Sequence, residues 1–355
     1  MTIKPFVYDL EFDHLKMLLA EWHEPAFRTQ QIWQGLYQNL WTAPEEFSNL
    51  PKTLRDKIAT EICWQALTPQ IVLKSSDHET IKTLFRLSDE REIEAVLMRY
   101  QARRTLCIST QAGCAMGCVF CATGQMGFKR NLTVGEIVDQ VIYYARQLKD
   151  QGEQVTNVVM MGMGEPFHNY DNTLAAIDRL NDPKGFNLGA RRFTISTVGL
   201  VPMIRRFADE RRQVNLAISL HAAKDEARSA MLPVNKKYSI AQLIDACRYY
   251  IDQTGRRITF EWALIRDIND TPEHARELVR LIKGLMCHVN VIPLNPTEKY
   301  PGQATTRERA LAFSDVLNQA GIPCTVRIRR GIDIQAGCGH LASRESKPTE
   351  PEQQV

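Results

Sequence analysis

Three cysteines lie close together in the segment QAGCAMGCVFCATGQMGF, at Cys114, Cys118 and Cys121. Three thiolates on one short loop can bind three irons of a cubane iron–sulfur cluster and leave the fourth iron open to a small ligand. A closed zinc site would need a fourth cysteine or histidine nearby, and none follows at a suitable distance. The spacing therefore predicts a 4Fe–4S cluster with one reactive corner.

The same three positions have a structural alternative. On a helix, residues at i, i+4 and i+7 share one face, so the cysteines could be three small buried side chains. Glycines at Gly113, Gly117 and Gly124 surround them, and glycine weakens a helix. We therefore favour cluster ligation over packing.

Unusual residues recur where predicted strands end. They are Gly164, Glu165, Ser196, Ser219, Leu220, His221 and Asn295. In barrels of parallel strands, functional groups collect at the carboxyl ends of the strands. Each of these residues taken singly could instead form a turn or a cap. Together with the cysteine loop, they predict one common site.

Strand-like and helix-like segments must alternate to place these residues together. The predicted strands are 105–110, 155–162, 191–197, 214–221, 257–265, 288–295 and 324–330. The predicted helices lie near 133–151, 172–181, 201–210, up to about 253, 272–285 and 306–320. Repeated βα units build a parallel sheet covered by helices, as an open sheet or a barrel. The pattern predicts an α/β fold.

The rest of the chain divides around this core, which we assign to residues 101–330. Helical periodicity predicts a small helical domain at 1–70, and β-like runs separated by turns predict hairpins that link it to the core at 71–100. A cysteine-bearing loop follows at 331–342. The polar tail at 343–355 is expected to be disordered.

Composition limits the class of protein. Of the 355 residues, 44% are hydrophobic. No apolar run has the length of about 18 residues that is needed to span a bilayer. The first residues do not show the charged and then apolar pattern of a secretion signal, so we expect no targeting segment. We therefore expect a soluble, cytoplasmic protein without a membrane partner, whose nine cysteines stay reduced and available for metal binding or catalysis.

Charge alone does not indicate nucleic-acid binding, because the net charge is only +3. Arginine pairs nevertheless recur, at 103–104, 191–192, 205–206, 211–212, 256–257 and 329–330. Most such pairs are typical of solvated helix ends and loops. Some of them, with the helical domain, are candidates for contacts to a nucleic-acid backbone.

Six motifs extend the pattern across the chain: CVFCATGQMGFKRNLT, VVMMGMGEP, SLHA, NKKY, IPLNP and GIDIQAGCG. Together they resemble the RlmN/Cfr family of radical S-adenosylmethionine (SAM) RNA methyltransferases, over roughly residues 20–342. The resemblance implies a partial (β/α)6 barrel with a small N-terminal helical domain. It also implies that Cys114, Cys118 and Cys121 bind the cluster, whose open iron chelates SAM.

The resemblance further implies roles for individual residues. The strand-end set, which is Gly164, Glu165, Ser196, Ser219, Leu220, His221 and Asn295, would hold SAM. Cys338 would be the cysteine that becomes methylated, Cys107 its resolving partner in a disulfide, and Glu94 the proton acceptor. Whether Cys107 or Glu94 removes the proton stays open, since either must only lie within reach. Gly337 and His340 depart from many relatives, which have alanine and glutamine there.

The implied reaction is methylation of carbon 2 of adenosine through a methyl-cysteine intermediate and two SAM molecules. The implied substrates are the peptidyl-transferase centre of 23S rRNA and the adenosine 3′ of the anticodon in some tRNAs. Flavodoxin or ferredoxin would supply electrons to an enzyme that we expect to be a monomer.

Three alternatives stand beside this interpretation. A Cfr-type enzyme shares the cysteines but methylates carbon 8, and the GQMGF run favours carbon 2. A non-catalytic iron–sulfur or zinc protein would bind RNA without cleaving SAM. A radical SAM enzyme for a small molecule would leave the N-terminal helices and the pair Cys107 and Cys338 unexplained.

Overall fold

Three helices form the N-terminal part of the computed structural model, which describes residues 4–327 and 329–341. They are α1 (Phe12–Glu21), α2 (Phe27–Gln34) and α3 (Lys52–Glu61). The backbone N–H of Gly135 donates to the Asp9 carboxylate at 2.7 Å, and Arg179 donates to the carbonyl of Tyr8 at 3.0 Å. These contacts fix the N-terminal segment to two helices of the core. The predicted disordered tail at 343–355 lies outside the described residues.

The segment after these helices is an antiparallel meander of three strands. They are β1 (Leu67–Lys74), β2 (Thr80–Leu87) and β3 (Glu92–Tyr100), separated by the two predicted turns. The meander continues into the core, because β3 pairs antiparallel with β4 (Arg103–Cys107), where Val96 lies opposite Cys107. The segment that we predicted as a link thus extends the main sheet by three strands.

A small hairpin, β5 (Gln111–Gly113) and β6 (Phe128–Asn131), encloses the cysteine loop. Six more strands then lie parallel to β4. They are β7 (Asn157–Met160), β8 (Phe193–Thr197), β9 (Asn215–Ser219), β10 (Ile258–Leu264), β11 (Cys287–Pro293) and β12 (Cys324–Val326). The main sheet runs from β1 to β12 in one order without closing among the described residues. The prediction of an α/β partial barrel is confirmed.

Eight helices accompany these strands in the described part of the chain. They are α4 (Ala122–Met126), α5 (Val134–Lys149), α6 (Tyr170–Asn181), α7 (Val201–Asp209), α8 (Asp225–Met231), α9 (Ile240–Thr254), α10 (Pro272–Ile282) and α11 (Arg307–Gln319). Local sequence sets where they begin. Thr133 accepts from the N–H of Glu136, whose carboxylate accepts from the N–H of Thr133 in return. Pro272 occupies the first position of α10, where no N–H is needed.

The parallel strands carry apolar side chains such as Val158, Ile195, Ile218 and Phe260, all fully buried. Burial of this kind is typical of a parallel sheet covered by helices. Because the strands are parallel, their carboxyl ends meet at one edge, and the loops that follow them build one surface. No helix in the described part of the chain is both long and apolar enough to cross a membrane.

Candidate functional site

The cysteine loop folds as a tight turn-rich coil. Gly113 (φ +73°) and Gly117 (φ +64°) adopt a left-handed backbone that favours glycine. A side chain at Gly113 would place its Cβ 1.9 Å from the carbonyl oxygen of Gly127. Helix α4 begins only at Ala122, after the third cysteine. The alternative in which the three cysteines share one helix face is therefore wrong.

The three thiols lie within one another's electrostatic fields. Burial raises the pKa of Cys114 to about 12, and Glu165 and Cys121 add to the effect. Burial also raises the pKa of Cys118, with Cys121 and Cys114 contributing. Such thiols ionise only beside strong positive charge, which iron supplies. No three His, Cys, Asp or Glu side chains among the described residues are placed so that they could hold a single metal ion.

A cleft of about 860 Å³ opens beside this loop, at the carboxyl ends of the strands. We call it the main cleft, and its walls include Cys118, Cys121, Gly164, Glu165, Ser196, Ser219, His221, Asn295 and Cys338. Leu220 does not line it. The Leu220 side chain is fully buried, and its backbone N–H donates to the carbonyl of Glu261 at 3.1 Å. The structure therefore brings six of the seven strand-end residues into one cleft.

Glu165 is held with both carboxylate oxygens fixed. Oε1 accepts from the N–H of Phe167 and Oε2 from the N–H of Val198, each at 3.0 Å. Gly164 (φ +101°) permits this arrangement, since a Cβ there would lie 2.5 Å from Cβ of Gln111. Burial raises the pKa of Glu165 to about 7. A bound amino group would favour the ionised form, so this carboxylate suits an ammonium ligand.

His221 follows β9 with a left-handed backbone (φ +60°). Its Nδ1 accepts from the N–H of Ala263 at 2.9 Å, and burial, aided by Arg228, lowers its pKa to about 3. The imidazole is therefore neutral, with its proton on Nε2. Its ring packs edge-on against Phe120, with 5.1 Å between centroids. His221 thus offers one fixed N–H donor beside the cysteine loop.

The loop that carries Cys338 packs on the cysteine loop and on the end of β11. Asn295 donates to the carbonyl of Cys338 at 3.0 Å, and the N–H of Ala122 donates to the carbonyl of Gly339 at 2.8 Å. A Cβ at Gly337 would lie 2.5 Å from Nδ2 of Asn295, so a larger residue there would require the Asn295 side chain to shift. These contacts present Cys338 to the main cleft, where its side chain is exposed.

A second cavity, of about 600 Å³, is lined by both Cys107 and Cys338. We call it the cysteine cavity. Both thiols are free. Burial raises the pKa of Cys107 to about 12, Cys338 raises it further, and Arg327 opposes the rise. Cys338 is open to solvent but has protein on most sides; this partial enclosure raises its pKa, and Arg327 again lowers it. Arg327 is therefore a cation that favours the thiolate form of both cysteines.

Glu94 lies elsewhere. It is 2% exposed, and its Oε1 is 3.0 Å from Nζ of Lys82, which also donates to the carbonyl of Gln335 at 3.3 Å. The two charged residues line a neighbouring cavity of about 1150 Å³ together with His340. Glu94 is absent from the described walls of the main cleft and of the cysteine cavity. The Cys338 loop borders this neighbouring cavity through Gln335 and His340, and the cysteine cavity through Gly337 and Cys338.

Sequence reasoning missed three buried or half-buried cations. Arg228 is fully buried and donates to the carbonyls of Val198 and Ser219, at 2.6 and 3.1 Å, which ties the ends of β8 and β9 together. Lys82 lies in β2 among β-branched residues, between Ile81 and Thr83, and a charge inside a strand-like segment was a usable but weak signal. Arg327 and Arg228 stand in segments with other charges, so no signal separated them from solvated residues.

Two family models match the chain. Residues 108–282 match the Radical SAM superfamily, and residues 7–63 match the ribosomal RNA large subunit methyltransferase N-terminal domain. The first match contains the cysteine loop and most of the main cleft, and the second contains the N-terminal helices.

Whole-length relatives agree with these models. The dual-specificity RNA methyltransferase RlmN 1 of Myxococcus xanthus is 49% identical over 349 residues, which covers 97% of either chain. A probable RlmN of Geobacillus kaustophilus is 46% identical over 97% of this chain and 94% of its own length. The crystal structure of a radical SAM methyltransferase from Sphaerobacter thermophilus has a TM-score of 0.94 and 49% identity, over 96% of this chain and all of that one.

Proposed function

Because this chain belongs to the RlmN family of radical SAM RNA methyltransferases, we propose that it methylates carbon 2 of adenosine in 23S rRNA and in tRNA. The proposed positions are the adenosine at the peptidyl-transferase centre and the adenosine 3′ of the anticodon. As a radical SAM enzyme it uses a 4Fe–4S cluster and SAM. Membership of this family argues against two of the alternatives, which are a non-catalytic RNA-binding protein and an enzyme that acts on small molecules.

The cluster is proposed to bind Cys114, Cys118 and Cys121, whose loop borders the main cleft. SAM is proposed to bind the strand-end residues: Gly164, Glu165, Ser196, Ser219, His221, Asn295 and the backbone beside Leu220. Glu165 would accept from the SAM amino group, and the orphaned Oδ1 of Asn295 offers a buried acceptor without a partner among the described residues. When both are bound, the cluster would supply the one electron needed for reductive cleavage of SAM to a 5′-deoxyadenosyl radical.

Cys338 is proposed to carry the one-carbon unit. Carbon 2 of adenine lies between two ring nitrogens, is electron-poor and has no lone pair, so it cannot displace a methyl group from SAM. The Cys338 thiolate can displace the methyl group. A bond forms between the Cys338 sulfur and the methyl carbon as the bond from that carbon to the sulfonium sulfur of one SAM breaks. The S-methyl group of Cys338 would then give a hydrogen atom to the 5′-deoxyadenosyl radical of a second SAM, which leaves as 5′-deoxyadenosine, and the resulting carbon radical would add to the electron-poor carbon.

Release from the enzyme is proposed to use Cys107, which shares the cysteine cavity with Cys338. The radical adduct would lose its C2 proton to a base and one electron to the iron–sulfur cluster, which SAM cleavage has left oxidised, so that a closed-shell thioether joins Cys338 to the adenine. The Cys107 thiolate attacks the Cys338 sulfur, whose bond to the methylene carbon breaks while that carbon takes up a proton. A disulfide remains, and cellular thiols reopen it.

Glu94 remains our proposed proton acceptor by resemblance. Since Glu94 lines the neighbouring cavity beside Lys82, this role requires the adenine or the Cys338 loop to move toward it. Cys107, by contrast, lines the same cavity as Cys338. The geometry therefore supports Cys107 as the attacking thiol more directly than Glu94 as the base.

The observation that carries the proposal is the meeting of Cys338, Cys107 and the strand-end residues at two adjoining cavities. The test is anaerobic reconstitution with SAM, a reductant and an unmodified rRNA fragment or tRNA transcript, followed by mass spectrometry of nucleosides. We expect 2-methyladenosine from the wild type, none from Cys338→Ala, and normal yield from Cys63→Ala, a free cysteine outside both cavities. Formation of 8-methyladenosine alone would support the Cfr-type alternative.

We also propose a cytoplasmic monomer that receives electrons from flavodoxin or ferredoxin. The free thiols and the iron–sulfur cluster suit a reducing compartment. Light scattering of the cluster-loaded enzyme tests the oligomeric state, and SAM cleavage driven by reduced flavodoxin tests the donor.

A further inference from the structure

A group of cations surrounds Tyr100 at the edge of the cysteine cavity. The guanidinium of Arg330 lies 4.5 Å from the centroid of the Tyr100 ring, and that of Arg103 lies 5.2 Å from it. Arg329 lines the same cavity as Tyr100 and Arg330. We call Tyr100, Arg103, Arg329 and Arg330 the Tyr100 rim.

The rim arginines lack the close carboxylates that other arginines have. Arg103 and Arg329 form no ion pair with any residue that the structure describes, and both are exposed. The only carboxylate of a described residue that pairs with Arg330 is that of Glu79, at 4.0 Å. By contrast, Arg206 lies 2.7 Å from Asp171. The rim thus keeps positive charge on a chain whose net charge is small.

An adenosine that reacts at Cys338 must leave its stack, while its neighbours in the strand stay outside the cavity. Unstacked bases bind aromatic rings and guanidinium planes, and the phosphates between them bind cations. The rim combines these features next to the cavity that contains Cys338.

We propose that the Tyr100 rim binds the RNA strand beside the target adenosine, and this inference rests on the proposed function. Tyr100 and Arg330 provide the stacking surface for an unpaired neighbouring base. Arg103 and Arg329 bind the adjoining phosphates. Unlike an acidic electron-donor protein, which needs only exposed cations, RNA also makes use of the ring and of the position beside Cys338.

The test measures binding of a fluorescently labelled, unmodified tRNA transcript to the cluster-loaded enzyme over a series of salt concentrations. We expect Arg103→Gln and Arg329→Gln each to weaken binding and to lower the slope of log K against log salt by about 0.7 to 1. Tyr100→Leu should weaken binding about fivefold or more, while Tyr100→Phe, which keeps the ring, should bind normally. The absorption spectrum of the cluster checks that each variant is folded.

Matched controls come from another arginine–tyrosine pair on the surface, whose arginine has a close carboxylate partner. Arg205 also lies over a tyrosine, with its guanidinium 4.9 Å from the Tyr249 ring, but it is ion-paired with Asp245 and lies outside the three cavities of the site. Arg205→Gln and Tyr249→Leu should leave both affinity and salt slope unchanged. Equal losses in these controls would show general electrostatics and overturn the proposal.

Two other outcomes also count against it. Rim variants that bind RNA normally but accept electrons more slowly from flavodoxin would make the rim a protein-docking surface. Rim variants that match the wild type in both assays would leave the rim without a role in binding. A wild-type enzyme that neither binds nor methylates the RNA would overturn the proposed function, and this inference with it. The wild-type measurement therefore distinguishes a failure of the proposed function from a failure of the rim proposal alone.

Discussion

The side-chain amide of Asn295 donates a hydrogen bond of 3.0 Å to the carbonyl oxygen of Cys338. Asn295 follows β11 and lines the main cleft, whereas Cys338 belongs to a loop that begins beyond β12. One bond therefore couples the predicted SAM-binding surface to the thiol that we propose as methyl carrier. The other amide atom, Oδ1, has no partner among the described residues and is left for a ligand.

Loss of this bond should loosen the Cys338 loop. We expect Asn295→Ala to lower the methyl content of Cys338 and the rate of RNA methylation about tenfold, because an unpaired buried polar group costs about 1–3 kcal/mol. Peptide mass spectrometry and nucleoside analysis measure the two effects. The control is Asn181→Ala, which removes a similar 2.8 Å bond to the carbonyl of Leu188 away from the site. Normal methylation in Asn295→Ala would contradict the coupling.

Gly337 tests the same contact from the other side. A Cβ at this position would lie 2.5 Å from Nδ2 of Asn295. The Asn295 amide can shift away from the alanine that many relatives have there, but the branched side chain of Gly337→Val leaves it less room, so we expect methylation to fall in this variant while iron content stays normal. Gly189→Val is the matched control, because nothing lies within 4 Å of a Cβ there. If Gly337→Val methylates RNA as the wild type does, the loop is not fixed by this contact.

The pH dependence of methyl transfer to Cys338 should depend on Arg327. The protein that partly encloses Cys338 raises the pKa of its thiol, and Arg327 is the cation that opposes the rise. Removing that cation raises the pKa further, so less thiolate exists at a given pH and the profile of rate against pH moves to higher pH. We expect this shift in Arg327→Met and a smaller one or none in Arg327→Lys. The measurement is Cys338 methylation by SAM without reductant, followed by peptide mass spectrometry; coincident profiles would exclude the effect.

Lys82 and Glu94 should contribute to stability as a pair. Their side chains are 4% and 2% exposed, and removing one partner of a buried ion pair costs about 3–5 kcal/mol. We therefore expect Lys82→Met to lower the free energy of unfolding in urea, and the double variant Lys82→Met/Glu94→Gln to recover much of the loss. Lys224→Met breaks an exposed pair with Glu277 and should change stability by about 0–1 kcal/mol. Additive losses in the double variant would mean that the two charges are not coupled.

Local pattern was enough to predict the framework of this site. The spacing of Cys114, Cys118 and Cys121 favoured one loop, and the glycines around them argued against a stable helix at those positions, which the structure bears out. Alternation of apolar strands and helices predicts parallel βα units, and parallel strands bring Glu165, Ser219 and Asn295 to one edge. Each of these inferences depends on near neighbours in the chain or on a general rule of sheet geometry.

Contacts between distant segments could not be predicted in this way. Cys107 is an inward residue of β4, and nothing near it in the chain indicates that Arg327 and Cys338 share its cavity. Glu94 pairs with Lys82 of the neighbouring strand and so lies in a different cavity from Cys338, although resemblance assigns both to one reaction. Sequence periodicity specifies which face of an element is buried, whereas the neighbours of that face depend on how all the elements pack. The chemical groups were therefore predictable from their types and spacing, but their distances, charges and partners required the folded chain.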